Sequence, residues 1–269
     1  MVACAYFAGV TRIMSDERDL ATTPAWIEIE KKIRLRTPAR IFMERGASYT
    51  TKMALELRGD HARAVDAVWR EFDLQKDFPA DFVARWELFQ VLSQAESKSQ
   101  FLLRPDLGRK LSEAGRNLIA QRCVKSPDVQ IVIGDGLSGA AVSEQVPELF
   151  PLLQQRLRAN GWSVGVSFAV RYCRVGIMNE IGEALTPRVL VLLIGERPGL
   201  ATAASLSAYM GYCPRLGHTD ADRNLISNIH DRGIRVEEAA ERITNLATRM
   251  MALKLSGTTL REDATLLSS

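Results

Sequence analysis

The strongest constraint on the fold is a continuous apolar run at residues 189–194, which is followed by a Gly-Glu-Arg-Pro-Gly turn at residues 195–199. A short apolar run bounded by a turn is typical of a strand that is buried on both faces, as in a parallel sheet. Polar residues that follow such a strand lie at the carboxyl edge of the sheet, where α/β proteins usually bind ligands. The sequence therefore predicts a buried parallel strand with a candidate site in the turn after it.

The carboxyl-terminal half of the chain alternates between strand and helix patterns. Apolar runs rich in β-branched residues predict strands at residues 129–133 and 164–170, and helical periodicity predicts helices that start near Ser138, at residues 177–185 and at residues 236–255. Strands that alternate with helices are joined by right-handed crossovers and form a parallel sheet. We therefore expect a Rossmann-like α/β domain with a parallel sheet over residues 126–269.

Residues 1–125 show helical rather than strand periodicity. One apolar stripe includes Ala54, His61 and Val68, and a second helical stretch carries aromatic residues between Phe78 and Trp86, which we interpret as core. A further helix is expected to start at Asp106, because proline at position 105 suits the entry to a helix. The sequence thus predicts a helical amino-terminal region ahead of the α/β domain.

A glycine turn after the first predicted strand offers one competing function. Gly134, Gly136 and Gly139 satisfy the G-x-G-x-x-G pattern between a strand and a helix, which is the context of an NAD(P)-binding turn. Asp135 would bring a carboxylate close to a pyrophosphate, and no acidic residue ends the second strand. We favour a structural turn in which Asp135 and Ser138 cap the helix, while an NAD(P)-dependent oxidoreductase remains the alternative.

Composition and missing motifs exclude several other classes of function. The net charge is only +3 and charges of both signs are interleaved, which does not favour nucleic-acid binding. No apolar run approaches the length of a membrane-spanning helix, and the scattered cysteines indicate neither a zinc site nor a disulfide framework. The sequence lacks the common catalytic and metal-binding motifs. We therefore expect no catalytic residue and no metal ligand, and the chain does not read as a complete enzyme.

Four short sequence motifs occur in the order found in one enzyme family, at residues 104–109, 134–138, 188–200 and 222–230. In these motifs the chain resembles the small (light) subunit of ethanolamine ammonia-lyase, and the resemblance extends from about residue 37 to residue 257. The resemblance implies a radical enzyme that uses adenosylcobalamin to convert ethanolamine to acetaldehyde and ammonia. It also implies that this chain is inactive alone and forms a hetero-oligomer with a large catalytic subunit, in the cytoplasm and often within a bacterial microcompartment.

The resemblance further implies three cobalamin contacts on this chain, at Val175, Glu196 and Leu225. Leu225 stands where some relatives have cysteine, so the contact is kept here only if the main chain makes it. From the residues alone, Val175 and Leu225 are equally well explained as core. Glu196 is better supported, because a carboxylate directly after a buried strand needs a partner, and an ion pair with Arg197 or Arg223 is the alternative to a ligand. A structural subunit that has lost contact with the cofactor is therefore a third hypothesis.

Overall fold

The computed structural model describes residue 28, residues 51–200 and residues 202–260. The chain divides into two compact units, Met1–Arg58 and Gly59–Ser269, and the account below concerns the second. Predictions that fall before residue 51, among them the first part of the helical region, lie outside the described residues.

The described residues form one six-stranded sheet with helices before and between its strands. The elements that precede the glycine turn are α1 (Thr51–Trp69), α2 (Leu74–Asp77), α3 (Ala80–Arg85), β1 (Phe89–Leu92), α4 (Lys98–Leu103), a 3-10 turn (Leu107–Arg109), α5 (Glu113–Arg122) and β2 (Val129–Gly134). Those that follow it are α6 (Gly139–Ala159), β3 (Phe168–Arg171), α7 (Ile177–Leu185), β4 (Val189–Gly195), β5 (Leu206–Tyr212), a 3-10 turn (Asp220–Asp222), β6 (Asn224–Ile229) and α8 (Val236–Leu253). In these ranges no helix is long and apolar enough to cross a membrane.

The sheet is mixed, with the strand order β1-β3-β2-β4-β5-β6. The first four strands in this order are parallel, whereas β5 runs antiparallel to both β4 and β6. Among the described residues between Gly195 and Leu206 there is no helix that could carry the chain back for a parallel strand, so the chain reverses direction. The α/β class is confirmed, but the prediction of a purely parallel, Rossmann-like sheet was wrong at β5.

Both faces of the central strands are buried, which explains the unbroken apolar run of β4. Val191 and Leu193 point into a core layer shared with α6 and α8, while Leu190 and Leu192 point into the layer shared with α5 and α7. Each fully buried aliphatic side chain of this kind contributes about 1.5–3 kcal/mol to folding. The α5/α7 layer includes side chains of β1 to β4 and is contacted by Tyr209 of β5. Tyr209 also borders a cavity that reaches Leu225 and Ser227 of β6.

Several predicted elements are confirmed, and the exceptions have local causes. Helices α6, α7 and α8 and strands β2 and β4 lie where the patterns placed them. Residues 89–92 were expected to be helical but form β1, whose parallel pairing with β3 supplies the ladder hydrogen bonds of this short segment. The helix expected from Asp106 begins only at Glu113, because Ser112 caps it through a 3.0 Å hydrogen bond from Gly115 N to its Oγ. The domain boundary at residue 125 stays a prediction.

Candidate functional site

The three residues singled out in the sequence lie around one cavity of about 340 Å3 at the carboxyl edge of the sheet. Val175 comes from the loop between β3 and α7, Glu196 from the turn after β4, and Leu225 from β6. Ile194 and Tyr209 add apolar surface from the neighbouring strands. The fold thus joins three positions that are far apart in the sequence on one concave surface.

Glu196 is held by donors from β5, from the residue that precedes β5, and from β6. Ser205 Oγ donates to Oε2 at 2.7 Å, and Ser207 Oγ and the Asn228 backbone N–H both donate to Oε1, the latter at 3.1 Å. A carboxylate offers about four acceptor positions, so three donors leave room for one more. The carboxylate therefore fixes the turn against β5 and β6 and can still accept a hydrogen bond from a ligand.

The ion pairs suggested for Glu196 are not formed. Arg223 pairs with Asp220, and its Nη2 donates to Asn179 Oδ1 at 2.8 Å. Arg197 forms no salt bridge with a carboxylate of the described residues and lies exposed at the cavity rim. The structural alternative in which Glu196 is held by an arginine was wrong, because serine hydroxyls and a backbone amide hold it instead.

Leu225 and Val175 differ in burial. Leu225 is 46% exposed and lies opposite Tyr209 in the β5–β6 register, so it is not a core residue. Val175 is half-buried and packs on the core layer that contains α7. An exposed leucine beside an apolar cavity is surface that a ligand or a partner can bury.

Serine and tyrosine residues of β5, and the serine that directly precedes it, complete the site and were not identified from the sequence. Ser205, Ser207 and Tyr209 alternate with Leu206 and Ala208, a period of two that is typical of a strand with one polar face. This pattern could have placed a strand with its polar face beside Glu196. Its antiparallel pairing, which brings that face to the turn, has no comparable local signal.

The glycine turn is packed against neighbouring backbone rather than open to a ligand. Gly136 has φ +56°, and a Cβ there would lie 2.2 Å from the Gly195 carbonyl oxygen. In a dinucleotide-binding turn the corresponding glycine lets the backbone approach the pyrophosphate. Here the end of β4 occupies the space next to Gly136 instead. The NAD(P) alternative is therefore not favoured.

The two capping assignments in this turn have different outcomes. Ser138 caps α6, because its Oγ accepts from Ala141 N at 3.1 Å, as predicted. Asp135 was expected to cap the same helix, but its buried carboxylate accepts from the backbone N–H groups of Tyr172 and Cys173, both at 2.8 Å. Burial raises the pKa of Asp135, while Lys98 and the backbone donors act in the opposite direction. Asp135 thus ties the glycine turn to the loop that carries Val175.

Thiols and metal ligands contribute little to the chemistry of this cavity. Cys173 lines it, but burial raises the pKa of this thiol well above its ordinary value, so it stays protonated and is a poor nucleophile. Burial likewise raises the pKa of Cys123 to about 11. Within the described ranges no group of three or more His, Cys, Asp and Glu side chains could hold a metal ion.

His230 supplies a prediction for the pH dependence of stability. Burial, followed by the positive charge of Arg232, lowers the pKa of His230 below 6.5. The unfolded chain then binds a proton at this position more readily than the folded chain, so the free energy of unfolding falls as the pH drops through 6.5. We expect His230→Gln to reduce the loss of thermal stability between about pH 7.5 and 5.5. Exposed His61→Gln is the control, and equal pH dependence in both variants would contradict the assignment.

Comparison with known proteins identifies related sequences over most of the chain. A family model for the ethanolamine ammonia-lyase light chain (EutC) matches residues 28–261. The ethanolamine ammonia-lyase small subunit of Clostridium perfringens is 39% identical over 257 residues, which cover 95% of this chain and 85% of that protein. The small subunits of Fusobacterium nucleatum and Clostridium acetobutylicum are 40% and 38% identical, each over 86% of this chain and over 76% and 93% of their own length.

Proposed function

The chain belongs to the ethanolamine ammonia-lyase light-chain family, and we propose that it covers one side of adenosylcobalamin at the contact with a large catalytic subunit. The observation that carries this proposal is that Val175, Glu196 and Leu225 border a single cavity at the carboxyl edge of the sheet. In this proposal the chain has no activity alone and acts within a hetero-oligomer.

The residues around the cavity suit a corrin in chemistry and in shape. A corrin ring presents apolar surface and peripheral amides. Val175, Ile194 and Leu225 offer apolar contact, and Glu196 keeps an acceptor position for an amide N–H. The cavity is too small to enclose a whole cobalamin, which fits a chain that covers one side while a second subunit covers the other.

In the reaction this chain positions the cofactor and excludes water from the surface that it covers. Adenosylcobalamin supplies the radical chemistry when it is bound. Glu196, fixed by Ser205, Ser207 and the Asn228 amide, orients a ligand amide without rearrangement of its own side chain. Val175 and Leu225 exclude water from the surface that they cover, which protects reactive species from side reactions.

The activity itself is tested by co-expression with the large subunit of the same genome. We expect acetaldehyde release from ethanolamine only when both chains and adenosylcobalamin are present. Release by the large subunit alone, at the rate of the complex, would contradict the proposed role. A complex that forms but neither binds cobalamin nor releases acetaldehyde would favour the structural-subunit hypothesis.

The cofactor contact is tested with Leu225→Lys, a change at an exposed side chain that leaves the core intact. In the bound complex the leucine would be buried against the cofactor, so replacing it with a charged side chain removes this contact and places a charge against apolar surface. We expect binding of cyanocobalamin to the complex, measured by absorbance titration, to weaken about 10–100-fold. Leu253→Lys is the matched control, because Leu253 is 53% exposed and ends α8 on the opposite layer. Equal affinities of the two variants would remove Leu225 from the site, and loss of assembly without cofactor would assign it to the subunit contact.

A further inference from the structure

Three arginines without a carboxylate partner surround the candidate site. Arg174 and Arg197 line the first cavity, and Arg109 and Arg174 line an adjoining cavity of about 680 Å3 that shares Val175 with it. Within the described part of the chain, none of the three guanidinium groups forms a hydrogen bond or an ion pair. Arg174 Nε is buried without an acceptor.

The carboxylates nearby are already engaged, so they do not neutralise this charge. Asp106 pairs with Arg104 at 2.8 Å, Glu180 accepts from Leu111 N at 2.7 Å, and Asp220 pairs with Arg223. Glu196 is held by the serines and the amide described above. The Asp135 carboxylate attracts the Arg174 guanidinium, but it accepts from the Tyr172 and Cys173 amides and forms no ion pair with Arg174. The junction of the two cavities therefore carries an excess of positive charge.

The stems of two of these arginines are held in place by glycines. A Cβ at Gly108 would lie 2.8 Å from Arg174 Cγ, and a Cβ at Gly176 would lie 3.0 Å from Arg109 Cγ. The absence of a side chain at Gly108 therefore leaves space for Arg174, and its absence at Gly176 leaves space for Arg109. The Arg174 backbone N–H also donates to Gly108 O at 2.8 Å. The Arg174 guanidinium lies 4.3 Å from the centre of the Phe101 ring, a cation–π contact. These contacts orient the Arg174 side chain before a ligand binds, and the stem of Arg109 packs against Gly176.

Clustering of these cations has an electrostatic cost that an anion would relieve. Burial lowers the pKa of Arg174, and the positive charges of Arg197 and Arg109 lower it further. A guanidinium forms paired, charge-assisted hydrogen bonds with phosphate and carboxylate oxygens. The site thus favours a ligand that carries a negative oxygen group to the junction of the cavities.

We propose that Arg174, together with Arg109 and Arg197, binds the phosphodiester in the nucleotide loop of the cobalamin. This inference rests on the proposed function, because a corrin placed against Glu196 and Leu225 is too large for the first cavity and must extend past Val175. The phosphodiester is the anionic group that such a ligand carries. A carboxylate of the large subunit is the competing source, but the buried Nε of Arg174 favours a group that enters the cavity.

The test compares Arg174→Gln with wild type in the complex with the large subunit, using cyanocobalamin and cobinamide as probes. Cobinamide has the same corrin ring but lacks the nucleotide and its phosphodiester. We expect the variant to weaken cyanocobalamin binding about 10–100-fold, as for loss of charge-assisted hydrogen bonds, and to leave cobinamide affinity unchanged. Arg104→Gln is the control, since Arg104 is paired with Asp106 and lines neither cavity.

Each remaining outcome overturns the inference, and the pattern separates it from the proposed function. Equal weakening for both probes would mean that Arg174 acts on the ring or on the fold. Unchanged affinity for both, with weaker subunit association, would identify a carboxylate of the large subunit as the anion. If one of these outcomes is found while the wild-type complex binds both probes, only the phosphodiester assignment has failed; if the wild-type complex binds neither probe, the proposed function fails as well.

Discussion

Replacing Gly136 with alanine is expected to destabilise the protein by about 2–5 kcal/mol. Alanine at φ +56° carries a backbone cost of about 1–2 kcal/mol. The new Cβ would also lie 2.2 Å from Gly195 O and 2.7 Å from Ile194 Cγ1, and overpacking of this kind typically costs a further 1–3 kcal/mol. The midpoint and slope of urea unfolding, followed by circular dichroism, give the change in the free energy of unfolding.

Gly161→Ala separates the steric effect from the backbone effect. Gly161 ends α6 with φ +77°, and a Cβ there would meet no atom within 4 Å. We expect this variant to lose only the backbone contribution of about 1–2 kcal/mol. If Gly136→Ala were no more destabilising than Gly161→Ala, the close packing of the glycine turn on β4 would be wrong.

The Gly136 contact also links the fold to the candidate site. Gly195 packs closely against two residues of the glycine turn: its carbonyl oxygen lies against Gly136, and a Cβ on Gly195 would lie 2.0 Å from Ser138 O. Glu196 follows directly and takes its position from this packing and from Ser205 and Ser207. The glycine-rich pattern that looks like a dinucleotide turn therefore serves to place the carboxylate at the end of β4.

Elements with strong local signals could be predicted from the sequence. Helix α7 has a clear helical periodicity and strand β4 is an apolar run bounded by a turn, and both were placed within a residue. Strand β1 is only four residues long, and its pairing with β3 depends on contacts across the chain. The direction of β5 depends on a connection without a helix, which apolar patterning does not report.

Part of the candidate site could be predicted, and the rest depends on tertiary structure. Family resemblance named Val175, Glu196 and Leu225, but their common cavity requires β6 to lie beside β5 in the antiparallel register. The partners of Glu196 come from that same register. The positive junction at Arg174 arises because two glycine-containing loops pack on each other, and no spacing within one motif reveals it.

Removing the carboxylate of Asp135 is expected to have the largest effect of a single polar change in this chain. Asp135→Ala would leave the backbone N–H groups of Tyr172 and Cys173 buried without an acceptor, and each such group costs about 1–3 kcal/mol. The substitution also removes the opposite charge that acts most strongly on Lys98, whose buried Nζ has no hydrogen-bond partner in the described residues. We expect a loss of about 3–5 kcal/mol in the free energy of unfolding.

Asp128→Ala is the matched control, because Asp128 also accepts from a backbone N–H, that of Ser163 at 3.0 Å, but is partly exposed. Water can replace its carboxylate, so we expect a loss of about 1 kcal/mol. Asp135→Asn should lie between the two alanine variants, since the amide keeps one acceptor oxygen but turns N–H groups toward the second backbone donor. Similar losses for Asp135→Ala and Asp128→Ala would show that burial does not set the importance of this carboxylate.

Substitution of Asp135 is also expected to change the candidate site, because Asp135 holds the backbone that leads into it. Tyr172 has φ +59°, a strained conformation for a residue with a side chain, and Asp135 holds it through the Tyr172 and Cys173 amides. Arg174 and Val175 follow at once in the chain. Under conditions where Asp135→Asn remains folded, we therefore expect weaker binding of cyanocobalamin by its complex with the large subunit. Unchanged affinity would mean that Val175 is positioned by α7 alone, because the strained turn would then have no influence on the cavity.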